Sequence, residues 1–108
     1  MSLIGTSLDA ATSTGPGAPL LFDEPKSVFT IQTSSSVGTT YEVAFEATVD
    51  GVNWRSFSET ISSDTILSYG GNLVVMGVRA NLLSVSGGNV SATIAVQRES
   101  VIATKRDA

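Results

Sequence analysis

The 108-residue chain contains no histidine and no cysteine. Without histidine the commonest general base is missing, and there is no Ser-His-Asp triad and no imidazole ligand for zinc. Without cysteine there is neither a disulfide framework nor a thiolate metal site, which fits a protein made in a reducing compartment. Charged residues are scarce at 15%, and ten acidic against six basic residues leave a net charge of −4. The basic residues Lys26, Arg55, Arg79, Arg98, Lys105 and Arg106 are scattered, apart from the last two. Phosphate-binding surfaces cluster their cations, so nucleic-acid binding is not expected. The longest apolar run, Leu73–Met76, falls far short of the ~20 residues that span a bilayer. The opening MSLIGTSLDA has neither the basic start nor the apolar core of a secretory signal. A chain without signal peptide or transmembrane segment is the expectation.

Serine, threonine, valine and glycine are abundant, and they suit strands and turns better than surface helices. The clearest stretch is Tyr41–Phe57, YEVAFEATVDGVNWRSF. Tyr41, Val43, Phe45, Ala47 and Val49 alternate with polar or small residues, the period of a half-buried strand. Asp50-Gly51 predicts a tight type I′ hairpin turn, with Trp54 and Phe57 returning over the apolar face. Phe29, Ile31 and Thr33 alternate in the same way, as do Val90, Ala92, Ile94 and Val96. Asp23-Glu24-Pro25, Gly70-Gly71-Asn72 and Gly87-Gly88-Asn89 read as turns, the last two as hairpins. Leu73–Val85 is the longest strand predicted, and Val101-Ile102 a short final one. Turn signals roughly every ten residues predict an all-β, antiparallel β-sandwich of jelly-roll type. Residues 1–19 read as an N-terminal arm or edge strand, 20–104 as the sandwich and 105–108 as a charged tail.

Chemistry is harder to find. No phosphate-binding glycine loop, dinucleotide fingerprint or nucleophile elbow is present. Glu42 and Glu46 share a strand face, but four residues at ~3.3 Å place them on the order of 13 Å apart. Two-carboxylate glycosidases need roughly 5–9.5 Å, so a solvated or interface-facing strand is the better reading. Asp50, Asn53 and Asp64 could be drawn as calcium ligands, yet turn geometry explains the Asp50-Gly51 pair and local bonding explains Asn53. No catalytic residue, metal or cofactor is therefore assigned. Trp54 is either a core aromatic or an exposed platform for a sugar ring or a partner, and Tyr69 carries the same ambiguity.

Several stretches in order resemble a family of small bacteriophage virion proteins: SLDAATSTGPGAPLLF, KSVFTIQT, VAFEATVDGVNW and MGVRANLLSVSGGNVSATIAV. Phe45, Glu46, Asp50, Gly51, Asn53 and Trp54 match one element of that family's pattern. Arg79, Ala80, Ser86 and Gly87 match another, and the likeness runs from about Leu8 to Gln97. Ala47 and Thr48 stand where the family commonly has Gly-Ser. The resemblance implies a non-enzymatic virion protein, a capsid decoration or cement protein first and a tail-associated one second. It would be made in the host cytoplasm and located in the virion. It also implies homo-oligomers, often trimers, that contact the major capsid protein through the N-terminal arm and the loop around Asp50–Trp54. The candidate interface residues are Asp50, Asn53, Trp54, Arg55 and Tyr69. The alternative is a carbohydrate-binding jelly-roll module, since a similar DG-x-x-W hairpin occurs there; Trp54 and Tyr69 would then be its stacking platform.

Overall fold

The structure, a computed structural model, describes the backbone of residues 2–97, with side chains except those of 2, 3, 71–73 and 97. Val101-Ile102 and the charged tail lie outside the described residues. Among the described residues there are seven strands: β1 (Ser2–Ala11), β2 (Gly15–Pro16), β3 (Leu20–Ser35), β4 (Thr40–Thr48), β5 (Arg55–Ser56), β6 (Thr65–Ser86) and β7 (Val90–Gln97). The fold is all-β and antiparallel. Among the described residues there is no helix, hence none long and apolar enough to cross a membrane.

All seven strands belong to one sheet, in the order β1-β7-β3-β6-β4-β5, with β2 also on β6. The two separately bonded sheets of a sandwich are not what the described residues form. A single sheet curls into a half-barrel instead, and β6 is its spine. The first part of β6 pairs with β3, from Thr33↔Thr65 to Leu20↔Val78. Its second part pairs with β4, from Thr48↔Gly77 to Thr40↔Ser86. Gly77 and Val78 are bonded along both edges, and there the sheet passes from one half of the curl to the other. Strand twist and bulges supply the curvature.

Three predicted turns resolve differently. Gly70-Gly71-Asn72 makes no hairpin, because β6 runs straight through it. Lys26 pairs with Val75 and Val28 with Gly70, so the extra residues of β6 are absorbed as a register shift opposite β3. Asp23-Glu24-Pro25 is likewise taken up inside β3, between Leu21↔Gly77 and Lys26↔Val75. Gly87-Gly88-Asn89 does turn the chain, with Gly87 at φ 87°, but β7 leaves to pair with β1 and β3 rather than with β6. Side-chain bonding fixes that crossing. Asn89 N–H donates to Ser36 Oγ at 3.0 Å, and Ser36 N–H donates to the Asn89 carbonyl at 3.1 Å.

The concave side holds the core. Phe29 and Ile31 from β3, Tyr41, Val43 and Phe45 from β4, Val78, Ala80 and Leu82 from β6, and the alternate residues Val90–Val96 of β7 are buried. The period-two pattern is therefore reproduced in β3 and β7; in β4 Tyr41, Val43, Phe45 and Ala47 are buried as predicted, and Ala44 and Thr48 between and after them are buried as well. Val49 departs from it at 70% exposed, because β4 ends at Thr48. The N-terminal residues form an edge strand of this sheet. β1 pairs with β7 from Ser2↔Gln97 to Ala11↔Val90, and Leu8 is buried in the core. Ser7 Oγ donates to the Ala18 carbonyl at 2.7 Å and accepts from Ala80 N–H at 2.8 Å, which ties β1 and the following loop to β6.

Candidate interaction site

The loop between β4 and β5 is wider than a two-residue turn. Ala47 pairs with Arg55 and Glu46 with Ser56, so residues 49–54 all lie outside the ladder. A type I′ turn needs φ > 0 at both central residues. Here only Gly51 has it, at 82°. The Asp50 carboxylate organises the loop instead. Its Oδ1 accepts from Val52 N–H and Asn53 N–H at 2.8 Å and from the Thr48 hydroxyl at 3.0 Å. Its Oδ2 accepts from Asn53 Nδ2 at 2.7 Å. Thr48 Oγ1 in turn accepts from Gly51 N–H at 2.9 Å. The Asn53 and Val52 amides, then the Asn53 and Thr48 side chains, hold the Asp50 carboxyl far below the usual range. Both carboxylate oxygens are thus engaged within the loop. Among the described residues no group of three or more acidic, His or Cys side chains could hold a metal ion.

Trp54 lies on the convex side, away from the apolar face it was expected to cover. The Arg79 guanidinium sits over its ring at 4.4 Å, a cation–π contact. Arg79 Nε donates to Glu46 Oε1 at 2.8 Å, and Asn81 Nδ2 donates to Glu46 Oε2 at 3.2 Å. Glu46 and Arg79 are cross-strand partners, which explains why the pair forms. The ring edge reaches over Gly77, where an added Cβ would come within 3.2 Å of Trp54 Cη2 and 2.7 Å of Leu21 Cδ2. A side chain at that point would have to displace Leu21 and press on the Trp54 ring.

Phe57 returns over the core. It meets Phe29 edge-on at 5.7 Å and Tyr69 edge-on at 5.1 Å, while Phe29 and Tyr69 stack at 5.3 Å. Burial, followed by the Glu59 charge, raises the pKa of Tyr69. On either side of the Phe57–Tyr69 contact lies a groove between β6 and the β4–β5 side of the sheet. One, about 450 Å³, is lined by Ala47, Val49, Asp50, Asn53, Arg55 and Val75 among others. The other, about 400 Å³, lies between residues 59–63 and the alternate residues Thr65, Leu67 and Tyr69 of β6. The candidates therefore separate. Asp50, Asn53 and Arg55 line the first groove, Tyr69 the second, and Trp54 packs on Arg79 on the opposite face. Sequence reasoning placed Phe57 over the apolar face but missed its contact with Tyr69, and missed Arg79 as the partner of Trp54, because tertiary packing brings those side chains together.

No protein-family model matches the chain, and no curated protein matches its sequence. The fold is a small antiparallel half-barrel. Such a fold is shared with a solved crystal structure, that of the SPBc2 prophage-derived protein YomS. The two chains are 19% identical, with 89% of this chain and 92% of that one covered and a TM-score of 0.71.

Proposed function

We propose that this chain is a phage-encoded, non-enzymatic structural protein of the virion. Its role is capsid decoration or cement, exercised through contacts with its own copies and with a capsid protein. The observation that carries this reading is the fold held in common with a prophage-derived protein over nearly the whole chain. The resemblance of residues 8–97 to small virion proteins points the same way. A half-barrel with a Ser/Thr-rich exterior and long open strand edges offers surface for assembly. Contacts of modest size gain avidity when repeated around a shell.

Carbohydrate binding is less well supported. Arg79 covers one face of Trp54, which leaves only the other face for a sugar ring. Tyr69 packs into the aromatic trio.

The test is co-sedimentation with purified capsids of the phage or prophage whose genome encodes the protein. Saturable binding at a fixed number of copies per capsid is the expected result. A protein that stays in the supernatant at every ratio, with capsids known to be intact, removes the decoration role.

A further inference from the structure

We infer that the Thr65–Gly70 edge of β6 is the self-association surface of this protein. Two copies pair these edges antiparallel about a two-fold axis, so that one sheet runs through both. The inference rests on the homo-oligomer part of the functional reading and supplies its interface.

An edge strand presents a row of backbone N–H and C=O groups whose natural partner is another strand. Along Thr65–Gly70, β6 is paired with β3 on one side only, and its pairing with β4 begins at Gly77. Among the described residues no strand pairs with the remaining edge. Two of the other edges carry features that limit pairing, although β1 runs along β7 without a shift from Ser2 to Thr6. β5 is two residues long. β1 carries two register shifts, Ala10 at φ 50° and the charged Asp9. Thr65–Gly70 itself pairs with β3 without a register shift, from Thr33↔Thr65 to Val28↔Gly70.

Charge selects the occupant. The chain carries −4, yet Thr65–Val78 contains no charged residue at all. Two identical acidic proteins repel wherever their charges face each other; the edge itself is neutral, and the nearest acidic groups are Glu59 across the groove and Asp64 before Thr65. A partner recognised by its charge would find nothing complementary along it. The flanking side chains suit burial. Ile66 is 62% exposed and Leu67 39%, on opposite faces of the strand, and Val74 beyond them is 56% exposed. The groove beside Thr65, Leu67 and Tyr69 leaves room on the concave side for the side chains of an added strand.

A strand edge paired antiparallel with its own copy is isologous, so the assembly closes at two. Six residues give about 20 Å of shared ladder. That lies at the low end of specific interfaces, below about 1,200 Å² in total. Dissociation on dilution is therefore part of the inference.

The experiment is sedimentation velocity and light scattering across micromolar to near-millimolar protein, on the wild type and three lysine variants. The wild type should rise with concentration from 11.1 kDa to twice that mass. Ile66→Lys and Leu67→Lys should each weaken dimerisation on the order of tenfold or more, through like-charge contact across the new ladder. Ile4→Lys, equally exposed but on the β1 edge, should leave it unchanged. Near-ultraviolet circular dichroism and melting temperature check that each variant is folded. If either β6 variant fails that check, hydrogen exchange on the wild type decides, because amides within Thr65–Gly70 should gain protection as concentration rises. An oligomer insensitive to the β6 variants, a stable trimer, or exchange protection confined to other strands overturns the interface while leaving self-association standing. A wild type that stays monomeric throughout overturns the interface and self-association together; capsid binding is judged separately by co-sedimentation.

Discussion

Asp50 shows how much local order one exposed carboxylate can impose. Four donors converge on its two oxygens, and they close a six-residue connection that no hairpin geometry would hold. The carboxyl's folded pKa lies well below its ordinary 3.8. Its ionised form therefore stabilises the fold fully above the unfolded value, and that contribution fades as pH falls below about 4 towards the folded value. Replacing Asp50 by Asn should lower the melting temperature at neutral pH, with the gap to wild type narrowing as the solution is acidified through that window. Parallel thermal melts from pH 7 to pH 2 check this. A gap independent of pH would show that the charge of the carboxylate contributes nothing. Tyr41 illustrates the opposite shift. Burial raises its pKa, and its hydroxyl lies 3.0 Å from Asp64 Oδ1 and 3.2 Å from Thr33 Oγ1. The buried hydroxyl is thereby satisfied where β3, β4 and the start of β6 meet.

At the scale of elements, β6 decides the architecture, and its critical point is Gly77. A methyl group there would press on Leu21 Cδ2 at 2.7 Å and on the Leu20 carbonyl oxygen and Trp54 Cη2 at 3.2 Å. Gly77→Ala should cost about 1–3 kcal/mol as overpacking between two strands and an indole. For a domain near this size each kcal/mol lowers the melting temperature by roughly 4–8 °C, so calorimetry resolves the effect. The same substitution should shift Trp54 fluorescence, since the ring must move to admit the methyl. An unchanged melting temperature and spectrum would mean that the Trp54–Gly77 packing is loose. The strands themselves were largely legible in the chain. The alternation of Phe29, Ile31 and Thr33, of Tyr41 to Ala47, and of Val90 to Val96 identifies elements and buried faces together, because a period of two maps directly onto a pleated strand. The glycine-rich breaks were not legible. Gly70-Gly71-Asn72 suits a tight turn in isolation, but pairing with β3 on both sides of it keeps the strand running.

At the scale of the whole molecule, the first and last described strands are paired with each other. β1 covers the edge of β7, places Leu8 in the core and hands Ser7 to Ala80 of β6. Deleting residues 1–11 should therefore abolish cooperative unfolding, since it strips an edge from a domain whose stability is on the order of 5–15 kcal/mol. Circular dichroism melts and soluble yield report the outcome. A truncated protein that melts like the wild type but no longer self-associates would make this segment an assembly arm instead. Among the candidate interaction residues, the sequence was informative about residue type and not about grouping. Asp50, Asn53 and Arg55 do share a groove, and Tyr69 lines the other one beyond Phe57. Trp54 is on the other face, held there by the Arg79–Glu46 pair.

By itself the chain determined that it would be built of antiparallel strands, and which residues of three of them would face inward. Those properties follow from side-chain alternation, which is local and needs no partner to be visible. Only the tertiary structure decided that one sheet curls on itself around β6, that β7 pairs with β1 and β3, and that no described strand pairs with the outer edge of Thr65–Gly70. Such outcomes depend on which strands meet and in what register, and pairing energies between residues far apart in the chain leave no periodic trace in its order.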